Sequence, residues 1–108
     1  MTADGFVRVC ALSDLEEDVP RRVVVDATPV AVVRAGGDVY AIHDICSHAN
    51  VSLSEGEVED TTIECWLHGS RFDLHSGKPT GLPATKPVPV YPVKVEGEDV
   101  YVALTPAG

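Results

Sequence analysis

The 108 residues suffice for one compact domain and leave no room for a second catalytic unit of ordinary size. Against 8 basic side chains stand 17 acidic ones, a formal net charge of −9, which argues against a nucleic-acid phosphate backbone as partner. Hydrophobic residues at 44%, Val foremost, allow a modest core, yet a domain this small is short of buried surface and gains from a metal site.

In chain order, FVRVCAL (6–12) alternates like a strand and sets Cys10 among apolar neighbours. Ser13-Asp14-Leu15-Glu16 predicts a capping box on one short helical turn. RRVVV (21–25) and TPVAVVR (28–34) follow as strands, and Ala35-Gly36-Gly37-Asp38 supplies a tight turn into DVYAI (38–42), a hairpin. Residues 43–60 carry no clear period and are rich in small and acidic side chains. TIECW (62–66) is β-like, and RFDL (71–74) is a short strand ending at the Ser76-Gly77 turn. The five prolines at 79, 83, 87, 89 and 92 exclude helix and predict a loop followed by an edge strand. YPVKVEG and DVYVAL flank a second hairpin turn, Glu96-Gly97-Glu98-Asp99. Short strands with frequent turns and no long 3.6-residue period predict an all-β domain.

No basic-then-apolar leader and no apolar run of membrane-spanning length can be read, so a cytoplasmic protein with no membrane partner is expected. Three cysteines are an odd count and too few for a disulfide framework; thiols or metal ligands are the remaining roles.

Two short segments pair a sulfur with a nitrogen ligand: Cys46-x-His48 and Cys65-x-x-His68, with sixteen residues between them. Cys and His suit soft and borderline metals, and four such ligands on two loops of a β scaffold form a metal-site pattern. Zinc knuckles usually group like ligands, whereas here each loop holds one of each. A structural zinc remains the alternative, but the mixed pairs make sense if two metals sit side by side. Each loop would then send its cysteine to one metal and its histidine to the other.

The stretches CSHANVSLSEGEVED and IECWLHGSRFDLHSGK, followed by Gly81-Leu82-Pro83, resemble the Rieske family. In that family two His replace two Cys on one iron of a 2Fe–2S cluster. The resemblance implies a Rieske fold over 1–108: an antiparallel β-sandwich or barrel-like base domain with a small cluster-binding lobe inserted at about 43–83. It implies Cys46, His48, Cys65 and His68 as ligands of one cluster. Leu67, Gly69, Ser70 and Phe72 would form its environment, and Pro83 would cap it. Two ferric ions, two sulfides and two thiolates sum to zero charge, while four thiolates would leave two negative charges; mixed ligation therefore raises the potential.

High-potential respiratory members carry an extra cysteine in each cluster loop and a tyrosine hydroxyl aimed at a ligand sulfur. This chain has Val51 and Leu67 in those loops and Phe72 at the tyrosine position, which points to the low-potential ferredoxin type. Ser70 pulls mildly the other way, because its hydroxyl can bond a bridging sulfide.

Beside these, Cys10 reads as a buried small hydrophobe, and His43 and His75 as strand-end or surface residues. Trp66 shields the cluster, lines a docking face or simply packs. Three acidic groupings occur at 14–18, 55–60 and 96–99; the second, between the two loops, is the best placed to steer a basic partner, although solvated turns account for all three. With no nucleotide-binding glycine pattern and no open metal position, a monomeric one-electron carrier is expected, not a catalyst. The resemblance implies a flavin-dependent NAD(P)H reductase as donor and a ring-hydroxylating-type oxygenase as acceptor. Alternatives are a carrier or small subunit serving nitrite reduction or iron–sulfur biogenesis, and a zinc-stabilised binding module.

Overall fold

A computed structural model describes residues 6–25, 27–45, 51–66, 69–80 and 86–104. They form ten strands: β1 (Phe6–Ala11), β2 (Arg21–Val25), β3 (Thr28–Ala35), β4 (Asp38–His43), β5 (Val58–Glu59), β6 (Thr62–Glu64), β7 (Arg71–Asp73), β8 (Val90–Tyr91), β9 (Val93–Glu96) and β10 (Asp99–Ala103). Three-residue 3₁₀ turns sit at Leu12–Asp14 and Leu53–Glu55. Three antiparallel sheets result, ordered β1-β10-β9, β2-β3-β4-β8 and β5-β6-β7, in agreement with the all-β expectation.

Strand β3 explains how the layers are held together. Val30, Ala31, Val32 and Val33 are all fully buried, so both faces of the strand are covered. Val30 and Val32 pack with Cys10, Leu15, Val100 and Val102, on the side of the first sheet. Ala31, Val33 and Ala35 pack with Leu53, Ile63, Phe72 and Leu74, on the side of the smallest sheet. The period-two alternation of a strand thus feeds two apolar clusters from one stretch of chain. The β5-β6-β7 sheet is fastened to the rest by that second cluster.

Several elements differ in extent from the sequence expectation. The helical turn starts at Leu12 instead of Ser13, because the Leu12 N–H is taken by the Glu98 carbonyl at 2.7 Å. Its cap is half a capping box, with the Ala11 N–H donating to Asp14 Oδ2 at 3.1 Å. The stretch from Tyr91 to Gly97 is not one strand. Pro92 has no N–H for a ladder, and the chain changes sheets there: β8 pairs with β4 and β9 with β10. The Pro92 carbonyl still accepts from the Ala103 N–H at 3.1 Å, so the crossing is pinned.

Cys10 lies in the core at 4% exposure, as its neighbours in the sequence suggest. Burial pushes its thiol pKa up, which lowers the thiolate fraction at neutral pH. Cys10 should therefore resist iodoacetamide in the native protein and label at least tenfold faster in denaturant, as read by mass spectrometry of the peptide carrying it. Rapid native labelling would contradict its place in the core.

Candidate metal centre

Two chain segments converge on the same apolar cluster from opposite ends. Strand β6 delivers Cys65, which is fully buried and not in a disulfide. Alternation along the strand buries Ile63 and Cys65 and leaves Glu64 and Trp66 outward, with Trp66 at 50% exposure. The Cys65 N–H donates to the Ser70 carbonyl at 2.6 Å, and the Gly69 N–H returns to the Cys65 carbonyl at 2.9 Å. Gly69 has φ of 76°, a conformation that glycine adopts without steric cost. Two backbone bonds thus close the base of a six-residue loop, and β7 begins immediately after it.

The other segment enters from β4 and leaves toward the Leu53–Glu55 turn. Residues 46–50 lie between, and the flanks on either side are tied together. Ile45 and Ser52 form an antiparallel bridge, and the Leu53 N–H donates to the Asp44 carbonyl at 2.5 Å. Asp44 is fully buried, and its carboxylate accepts from Ser54 N–H at 2.7 Å and Ser54 Oγ–H at 3.1 Å. Arg22, on β2, donates to Ser52 Oγ at 2.9 Å and stands 3.5 Å from Asp44 Oδ2. Past the neck, Leu53 and Cys65 belong to one apolar cluster, with Val51 packed against it. The exit of the first loop and the entry of the second are therefore built on one wall.

Of the residues singled out from sequence, Cys65, Ser70 and Phe72 are fully buried and Gly69 is exposed. Phe72 packs in the cluster that holds Cys65 and brings no hydroxyl to it. Cys46, His48, Leu67, His68 and Pro83 lie outside the described residues. Among the described residues no group of three or more His, Cys, Asp or Glu side chains could hold a metal. His43 and His75 are engaged elsewhere: His43 Nδ1 is 3.2 Å from the Tyr91 hydroxyl, and His75 meets the Tyr40 ring edge-on at 4.8 Å. His43 ends β4 and His75 is exposed, as a strand-end and a surface residue.

The donor chemistry fits an iron–sulfur group. A buried thiol backed by Leu53, Ile63 and Phe72 is a soft ligand in a dry setting, where a thiolate needs a cation to be stable. The Asp44 network and Arg22 were missed in the sequence. The one available signal was a carboxylate at the end of an apolar strand, two residues before Cys46, followed by serines at 52 and 54.

Comparison with known proteins bears on the same segments. The family pattern described as Rieske [2Fe-2S] domain matches residues 5–92. The 3-phenylpropionate/cinnamic acid dioxygenase ferredoxin subunit of Shigella boydii serotype 4 is 46% identical over 103 residues, covering 94% of this chain and 95% of its own. The ferredoxin of carbazole 1,9a-dioxygenase from Nocardioides aromaticivorans IC177 superposes with a TM-score of 0.88 at 45% identity, covering 91% of this chain and 96% of that one. A chain from the complex of reduced oxygenase and oxidized ferredoxin in carbazole 1,9a-dioxygenase gives a TM-score of 0.89 at 40% identity, covering 96% and 97%.

Proposed function

The chain belongs to the Rieske [2Fe-2S] domain family, and from that premise we propose that Cys46, His48, Cys65 and His68 hold its cluster and that a flavin-dependent NAD(P)H reductase is its electron donor. The protein is a Rieske ferredoxin of the ring-hydroxylating dioxygenase type, an electron-transfer component and not a catalyst. The observation that carries this is similarity along nearly the whole length to a dioxygenase ferredoxin subunit, at 46% identity. The acceptor is a terminal oxygenase, as in the carbazole dioxygenase complex of a ferredoxin with its oxygenase. The whole chain acts as one domain with its cluster lobe at about 43–83, as a monomer in the cytoplasm. Among the described residues no helix is long and apolar enough to cross a membrane.

When bound, a 2Fe–2S cluster takes up and gives back one electron near the lower end of the range for mixed Cys and His ligation. The protein's own groups do the rest. The bases of both segments are closed by backbone hydrogen bonds, Leu53 N–H to the Asp44 carbonyl and Cys65 N–H to the Ser70 carbonyl. The apolar wall of Leu53, Ile63 and Phe72 keeps water from the Cys65 side. The outward face of β5-β6-β7 carries Glu59 and Glu64, and Glu57 continues the register opposite Glu64, its carbonyl accepting from the Glu64 N–H at 2.8 Å. Arg71 offsets Glu64 at 3.2 Å, and the surplus negative charge beside exposed Trp66 favours a basic acceptor surface.

Mixing dithionite-reduced protein with an oxidised aromatic-ring oxygenase in a stopped-flow cell tests this role. Reoxidation of the carrier with matching reduction of the oxygenase, slowed by added salt, is the expected result. No transfer to any such oxygenase, with efficient transfer to a nitrite reductase, would replace the acceptor. Phe72 offers no hydroxyl, and the buried Ser70 is the residue we assign as a side-chain donor toward a cluster sulfur. Ser70→Ala should lower the midpoint by several tens of millivolts without loss of iron. An unchanged or raised potential would remove Ser70 from that role.

A further inference from the structure

We propose that Arg22 ties Asp44 to Ser52, the two flanks of the 46–50 segment, and that its positive charge, set against buried Asp44, raises the reduction potential of the cluster. This rests on the assignment of that segment as a ligand loop. Arg22 lies on β2, outside both ligand loops, and its pairing partner there is Ala31 of β3. From this remote strand its guanidinium reaches both sides of the loop neck: Asp44 on the way in and Ser52 on the way out.

Among the described residues, the ion pairs Arg8–Asp99, Arg71–Glu64 and Lys94–Glu96 have both members in contact with solvent. The Arg22–Asp44 pair differs, because the Asp44 side chain is at 0% exposure. A carboxylate removed from water needs compensation from hydrogen bonds and an opposite charge. Ser54 supplies two hydrogen bonds and Arg22 supplies the charge. Without Arg22, the negative charge two residues from Cys46 stands against any electron added nearby. The reduced state is then penalised more than the oxidised one, and the potential falls. Because the Arg22 side chain is 49% exposed, solvent and salt weaken the effect without abolishing it.

The test compares wild type, Arg22→Gln and Arg22→Lys as cluster-loaded proteins. Readouts are iron and sulfide content, thermal midpoint and the one-electron potential at low and high salt. The expected result for Arg22→Gln is a roughly threefold shift of the reduction equilibrium toward the oxidised form, about 28 mV at 59 mV per decade for one electron. That shift should shrink at molar salt, where the screening length is about 3 Å. Arg22→Lys, which keeps the charge and loses the fork, should recover the wild-type potential. A lowered melting point or iron content in Arg22→Gln with no change in potential would overturn the charge assignment and leave Arg22 a structural strap. If Arg22→Gln loads too little cluster to titrate, Arg22→Lys decides alone: wild-type loading and potential support the proposal, and failure to load overturns it. A wild-type chain without iron would instead mean that the cluster assignment itself had failed.

Discussion

Cys65→Ser is expected to give a colourless protein with less than about one tenth of the wild-type iron, while the strands away from the cluster remain folded. The thiol is fully buried at the entry of a loop closed by the Cys65 and Ser70 backbones. An alcohol of ordinary acidity is a poor soft-metal ligand, and loss of one thiolate from the proposed set of two removes half of the protein's sulfur donors. The buried hydroxyl adds a cost of about 1–3 kcal/mol where it finds no partner. Loss of the metal contribution lowers the melting point further, because binding free energy at such a site is folding free energy. Cys10→Ser is the control: it sits in the other apolar cluster and should keep full colour. A Cys65→Ser protein that retained iron and visible absorbance would contradict the ligand assignment.

Gly56→Ala is expected to destabilise the protein by about 3 kcal/mol or more and to reduce cluster loading with it. The φ of Gly56 is −87°, ordinary for any residue, so the requirement is one of space. A Cβ built there falls 1.7 Å from the Glu64 carbonyl oxygen and 3.3 Å from that of Leu53. Neither atom can swing aside: Glu64 is held in β6 by Ile63 and Cys65 on one side and by its N–H bond to the Glu57 carbonyl on the other. The Leu53–Glu55 turn would have to lift off β6, separating the neck of the first loop from the strand that carries Cys65. For a domain of this size the loss corresponds to a fall in melting temperature of roughly 12 °C or more. Thermal melts of the loaded protein check it, and a shift under a few degrees would mean that the turn and β6 are not in contact.

The chemistry was far more legible than the architecture that serves it. The paired Cys and His residues carry their meaning in spacing, which survives any uncertainty about strand ends. Hairpins at Gly36-Gly37 and at Gly97 were equally plain, because turn residues declare themselves locally. Sheet membership was not legible: a run such as YPVKVEG reads as one strand, and only pairing partners reveal that Pro92 divides it. The two-faced burial of β3 was hidden for a related reason, since a continuous apolar run does not say what covers each face. Asp44, Arg22 and Gly56 act through long-range contacts over 8 to 30 residues of sequence, and no local pattern marks them. Phe72 lies in the same apolar cluster as Cys65, a contact that its place in the sequence does not reveal.

The most direct measurement is an anaerobic potentiometric titration of the purified protein, with iron and acid-labile sulfide determined on the same sample. Mixed ligation by Cys46, Cys65, His48 and His68 predicts two irons and two sulfides per chain. It also predicts a single one-electron midpoint in the lower part of the roughly −150 to +300 mV Rieske range. A midpoint near about −400 mV, the region of all-cysteine plant-type clusters, or a colourless protein holding zinc, would contradict it.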